Sequence, residues 1–131
     1  MTARILMVDD EADTEALFRQ HFRREIRKDV YSFEFARSGE EALALLRSFT
    51  PPKVVLVLSD INMPGMTGID LLGEIRTTWP QVGVFMITAY GDAATEEKAR
   101  GLGARQFFSK PLDFARLKAD LAEILELEPE S

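Results

Sequence analysis

No cysteine occurs among the 131 residues. That excludes a disulfide scaffold and thiol chemistry, and it sets the cytoplasm as the expected location. No apolar run approaches the about 20 residues that a membrane span needs, and Met1-Thr2-Ala3-Arg4 does not open a signal peptide. Basic charge is in deficit, with 16 Lys and Arg against 22 Asp and Glu, a net charge of -6 and a pI near 4.8. An acidic surface argues against direct nucleic-acid binding by this domain. Histidine occurs once, as His21, inside a basic run, and is not expected to serve as a metal ligand or catalytic base. There is no internal repeat and no low-complexity tract.

What is present is an ordinary core. Apolar residues make up 46% and charged residues 29%, the composition of a globular domain. The length suits one domain that buries roughly two-thirds of its unfolded surface.

The organising stretch is Val54-Val55-Leu56-Val57-Leu58-Ser59-Asp60-Ile61-Asn62-Met63-Pro64-Gly65. Five apolar residues without alternation read as a strand buried on both faces, as in a parallel sheet. Asp60 follows, and Met63-Pro64-Gly65 forces a loop. Asp60 therefore stands at the carboxyl edge of a sheet, where open α/β folds bind ligands.

Ile5-Leu6-Met7-Val8 is a second buried run, ended by Asp9-Asp10-Glu11. A helical pattern from about Asp13 to Ile26 carries Phe18, Phe22 and Ile26 at four-residue steps. Arg19, His21, Arg23, Arg24, Arg27 and Lys28 crowd its second half, either as a solvated face or as a docking surface for an acidic or phosphorylated partner. Tyr31, Phe33 and Phe35 alternate with polar residues, which places their strand at a sheet edge. Ser38-Gly39-Glu40-Glu41 is a capping box opening a helix with Ala42, Leu45, Leu46 and Phe49 on one side. Thr67 and Asp70 open another, with Leu72, Ile75 and Trp79. Val82 to Ile87 is a further buried run, closed by Thr88. The helix expected from about Ala93 to Gly101 is poor in apolar residues. Gln106-Phe107-Phe108 is a short strand ended by Ser109-Lys110-Pro111, and Asp113 can cap a last helix with Phe114, Leu117, Leu121 and Leu125.

This is a (βα)5 pattern: a doubly wound, parallel, five-stranded α/β sheet with right-handed crossovers. The edge signal on the second strand favours the order 2-1-3-4-5, which puts the topological switch between strands one and three.

Asp9, Asp10, Asp60, Thr88 and Lys110 all fall at strand ends on that one edge. Three carboxylates packed together repel unless a cation joins them. Mg²⁺ suits such a site, since it commonly takes one or two carboxylates, waters and a phosphate oxygen. With Lys110 as a point charge and Thr88 as a hydroxyl donor, the set describes phosphoryl transfer to a carboxylate.

The motifs Val8-Asp9-Asp10-Glu11, Asp60-Ile61-Asn62-Met63-Pro64-Gly65-Met66-Thr67-Gly68, Thr88-Ala89 and Lys110-Pro111, in this order, resemble a two-component response-regulator receiver domain of the CheY-like superfamily. The resemblance runs from Ile5 to about Leu125, so residues 1–127 are expected to form the receiver and 128–131 a tail or the start of a linker. It implies that Asp60 takes a phosphoryl group from a sensor histidine kinase or phosphotransfer protein. It further implies that Asp10 binds Mg²⁺ directly, Asp9 largely through water and Asn62 by its backbone carbonyl, with Thr88 and Lys110 on the phosphoryl oxygens. Phe107 matches the switch aromatic. Thr88 is expected to move toward the phosphoryl group and Phe107 then to rotate inward, altering the surface of the fourth helix, fifth strand and fifth helix. Tyr90, two residues past Thr88, is expected to overhang the pocket and limit water access. The Lys110-Pro111 bond is expected to be cis.

Three features depart from the family pattern. The Asp10 to Asp60 segment is longer than usual, mostly near Arg24 to Val30, which predicts an extended first helix or a longer loop. Ser59 stands where an apolar residue is common, and the switch aromatic is Phe rather than Tyr. The chain is expected to be a monomer or a phosphorylation-dependent homodimer, a stand-alone regulator or the receiver of a longer protein with an output domain. A Mg²⁺-dependent aspartyl phosphatase is the enzyme alternative, but it needs an acid where Asn62 stands. An FMN carrier would have its phosphate repelled by Asp9-Asp10-Glu11.

Overall fold

Val54–Asp60 is the middle strand of a five-stranded sheet in which every pairing is parallel. In this computed structural model the described residues are 3–48, 54–89 and 93–124. The order along the chain is β1 (Ala3–Val8), α1 (Asp13–His21), α2 (Arg23–Arg27), β2 (Tyr31–Ala36), α3 (Gly39–Ser48), β3 (Val54–Asp60), α4 (Gly68–Thr78), β4 (Gly83–Thr88), α5 (Ala93–Gly101), β5 (Gln106–Ser109) and α6 (Phe114–Ile124). The strands lie as β2-β1-β3-β4-β5, the order that the edge signal predicted.

Burial follows position in the sheet. β4, an inner strand, is buried at all six residues, whereas β2 at the edge mixes buried and half-buried residues, with Phe35 only half-buried. Successive strand residues face opposite sides, which divides the core in two. Leu6, Val8, Val57, Val84 and Met86 meet residues of α3, α4 and α5. Ile5, Met7, Leu56, Leu58, Phe85 and Ile87 meet residues of α1 and α6. The sheet is therefore covered on both faces, and its carboxyl edge is left for the loops.

Helix starts are set by short polar side chains. Thr67 and Asp70 form a complete capping box on α4. Asp113 accepts from the N–H of Arg116 at α6. At α3 the box is modified: Ser38 accepts from the N–H of Glu41, but the Glu41 carboxylate reaches back to the N–H of Arg37. The weak helix is α5, where Ala99 is the buried residue.

The extra length before β2 extends the first helical segment by a turn beyond a one-residue break, rather than lengthening a loop. α1 stops at His21, Phe22 takes φ -105° and ψ 15°, and α2 follows. The N–H of Phe22 still reaches Phe18 O and that of Ile26 reaches Phe22 O, both at 2.9 Å. The backbone ladder thus continues through the break, and the additional residues form one more turn. Phe18 and Phe22 stay buried with ring centroids 5.8 Å apart. Asp29 ends the turn with φ 57°, in the left-handed region that short polar residues tolerate. On α2, Glu25 binds Lys118 of α6 at 2.8 Å, and the Lys118 ammonium lies 5.2 Å from the centre of the Phe22 ring. With two helices in place of the first, the expected fourth and fifth helices are α5 and α6.

Candidate functional site

Four strand ends build the site. β1 leads into Asp9 and Asp10, β3 ends on Asp60, β4 on Thr88, and Lys110 follows β5. Backbone bonds tie Asp9 N to Ala36 O at the end of β2 at 3.0 Å, and join the ends of β3, β4 and β5 through Ile61 N to Ile87 O at 2.9 Å and Lys110 N to Thr88 O at 2.8 Å. Asp9, Asp60, Thr88 and Lys110 therefore stand on or beside paired backbone, and Asp10 stands in the loop that follows β1. The Lys110-Pro111 bond is cis, as the motif predicted.

Carboxylate oxygens of Asp9, Asp10 and Asp60 lie within 4.8 Å of one another. Asp9 and Asp60 are buried and Asp10 is exposed. Lys110 Nζ stands 3.3 Å from Asp60, 3.4 Å from Asp9 and 3.6 Å from Glu11. One ammonium among these carboxylates leaves the cluster negative. Burial pushes the Asp60 carboxyl above its usual range; Lys110 opposes this and Asp9 adds to it. On Lys110 burial acts downward, but Asp9, Asp60 and Glu11 outweigh it and the ammonium is held more firmly than usual. Hard oxygen donors short of positive charge, open to solvent through Asp10, are the donor set a hard divalent cation takes.

The carboxylates are not equivalent. Asp9 Oδ1 accepts from the N–H of Glu11 and Oδ2 from the Thr14 hydroxyl, both at 2.9 Å. Asp60 is held less tightly, by Lys110 on Oδ2 and by the N–H of Asn62 on Oδ1, each at 3.3 Å. A side chain pinned at both oxygens is suited to orienting a cation. One with longer bonds is suited to react. Thr88 is buried and its Oγ1 accepts from the Asn62 side-chain amide at 3.3 Å.

Several of these contacts leave no signal in the sequence pattern. Thr14 reaches Asp9 through its place in the first turn of α1. The Asn62 side chain, not only its carbonyl, belongs to the site. Ser59 is fully buried and its hydroxyl donates to Asp60 O at 3.0 Å, which is a reason for a small polar residue there.

Phe107 is buried, in the same core as Met86, Ala99 and Ala104. Its strand position directs it to that face, and two alanines leave room for the ring. Tyr90 lies outside the described residues.

Beside the carboxylates a groove of about 630 Å³ runs between α1 and the start of α6, walled by Leu17, His21, Pro111, Leu112 and Phe114. His21 stacks flat on Phe114, with centroids 3.8 Å apart and planes 1° apart. It is a wall of the groove. Past it, Arg23, Arg24 and Arg27 are exposed. Among the described residues no helix is long and apolar enough to cross a membrane.

The family model of the response regulator receiver domain matches residues 5–122. The chain is 30% identical to Sporulation initiation phosphotransferase F of Bacillus subtilis, over 98% of both chains. It is 38% identical to Response regulator protein PilR of Pseudomonas aeruginosa over 93% of its own length, and spans 26% of that longer protein. Among solved structures, response regulator protein TrrA of Thermotoga maritima, in complex with Mg²⁺-BeF, superposes with a TM-score of 0.77 at 30% identity, covering 94% of this chain and 99% of that one. The chain belongs to the family of response regulator receiver domains, a signalling family.

Proposed function

We propose that Asp60 is the phosphoacceptor of this receiver and that its donor is a phosphohistidine on a sensor kinase or phosphotransfer protein. The observation that carries the reading is the convergence of Asp9, Asp10, Asp60, Thr88 and Lys110 from four strand ends on one crevice.

In the transfer, an Asp60 oxygen attacks phosphorus while the phosphorus–nitrogen bond to the donor imidazole breaks. The imidazole leaves and takes its proton from solvent. Asp60 becomes an acyl phosphate, and water later returns it to carboxylate and inorganic phosphate. Asp10, Asp60 and the Asn62 carbonyl would hold Mg²⁺, with Asp9 acting through water; the ion supplies charge neutralisation on the transferred group. Lys110, now beside Asp60, is placed to follow the developing charge onto a phosphoryl oxygen. Thr88 offers its hydroxyl to another. The acyl phosphate carries roughly two negative charges where the carboxylate carried one, and the response spreads through Thr88 and the Phe107 neighbourhood to the α5-β5-α6 surface, which meets an output domain or protein partner. Tyr90 is assigned the restriction of water access. The apolar groove beside the carboxylates supports docking of a histidine-bearing helix there, and the arginines of α2 support an acidic surface on that partner. The setting is cytoplasmic, and the domain works as a monomer or as a homodimer formed on phosphorylation.

Incubation with acetyl phosphate and Mg²⁺, followed by intact mass measurement, tests this. The native chain should gain one phosphoryl group. Chelation of the metal or Asp60→Asn should abolish the gain. Equal labelling of Asp60→Asn would overturn the assignment.

A further inference from the structure

Asn62 touches both ends of the relay. Its backbone N–H donates to Asp60 Oδ1 and its side-chain amide donates to Thr88 Oγ1, each at 3.3 Å. The two partners are the carboxylate assigned to accept the phosphoryl group and the buried hydroxyl assigned to answer it. We propose that the Asn62 side-chain amide is a latch on Thr88: it holds the hydroxyl back at the end of β4, and the phosphoryl group must break this bond to draw Thr88 forward. The inference rests on the reading of Asp60 as phosphoacceptor. Asn62 is a positioning residue, acting through Thr88.

The geometry suits a latch better than a permanent tie. Asn62 is exposed, in the loop between β3 and α4, whereas Thr88 is 1% exposed and set by strand pairing. The bond spans 26 positions of sequence, so it reports the relative placement of two strand ends rather than a local turn. At 3.3 Å it is longer than the usual N–H···O bond, and so is weak enough for a charged group to displace. Once Thr88 leaves, the amide loses an acceptor at the place where phosphoryl oxygens arrive. The net worth of such a bond corresponds to roughly two- to tenfold in a two-state equilibrium.

The test uses the whole chain with Mg²⁺ and beryllofluoride as probe, with occupancy read by titration and the Thr88 methyl group observed by NMR. Asn62→Ala should bind the probe at roughly two- to tenfold lower concentration than the native chain. Its Thr88 methyl signal, with no probe added, should lie part of the way toward the position the native chain reaches at saturation. Removing the latch in a Thr88→Ala background should change probe binding by less than about twofold. Weaker binding by Asn62→Ala, an unmoved methyl signal, or a gain that persists undiminished without the Thr88 hydroxyl would each overturn the proposal. Failure of the native chain to bind the probe at all would instead remove the assignment of Asp60 on which the latch rests.

Discussion

A Cβ on Gly68 would run into the backbone carbonyl of Asp60 and stand 2.7 Å from Cα of Ile61. The first turn of α4 is therefore packed directly against the strand end that carries the proposed phosphoacceptor, and the N–H of Gly68 bonds to Ile61 O at 2.8 Å. Backbone on backbone at this distance cannot be relieved by a side-chain rotation. Gly68→Ala should push the helix off the β3 end, destabilise the fold by about 2–3 kcal/mol, and slow labelling by acetyl phosphate about tenfold or more, since small misplacements at a reacting group are costly. Urea denaturation and labelling rate check the two effects separately.

Asp60 is a buried carboxyl whose pKa is raised, first by burial. A raised acid favours the folded state when protonated, and this contribution is lost as pH rises through the folded pKa. At neutral pH the ionised group is thus a burden on the fold when no divalent cation is added. Asp60→Asn should melt higher than the native chain at pH 7 in chelator, by roughly 4 °C for about 1 kcal/mol. The difference should shrink at lower pH, where Asp60 protonates, and on adding Mg²⁺, which stabilises the native chain by binding. Thermal melts across pH check the sign.

Tyr31 is buried at the start of β2, and its phenol is pushed up to about 12, first by burial and then by the Glu25 carboxylate. The unfolded phenol titrates near 10, so the fold keeps this contribution below that pH and loses it as the pH climbs to the folded value. Stability should fall between about pH 10 and 12, and Tyr31→Phe should flatten that fall. Urea midpoints measured over this range decide it.

The additional turn, α2, is tied to α6 through Glu25 and Lys118. Glu25 Oε1 has no hydrogen-bond partner among the described residues, so its charge depends on that ammonium. Lys118→Met keeps the stem and removes the charge, and should cost about 1 kcal/mol. Adding Glu25→Gln should recover most of the loss. A double-mutant cycle in urea checks the coupling.

The sheet and its reactive edge were legible because they rest on short-range signals. The apolar run ending at Asp60 and the Pro64-Gly65 break mark β3 and its exit, and Thr67 with Asp70 marks the next helix start. Alternation placed β2 at the edge. The break at Phe22 was not legible: Phe18, Phe22 and Ile26 keep a four-residue spacing across it, so the period that reveals a helix hides its interruption. The bonds from Thr14 to Asp9 and from Asn62 to Thr88 depend on side-chain directions that spacing does not give.

A crystal structure of the native chain with Mg²⁺ and beryllofluoride measures directly where the phosphoryl group goes. An adduct is expected on an Asp60 oxygen, with a cation among Asp9, Asp10 and Asp60, Lys110 turned toward the adduct, and Thr88 drawn forward from Asn62. A saturated crystal with Asp60 unmodified, or with the adduct on another carboxylate, would contradict it.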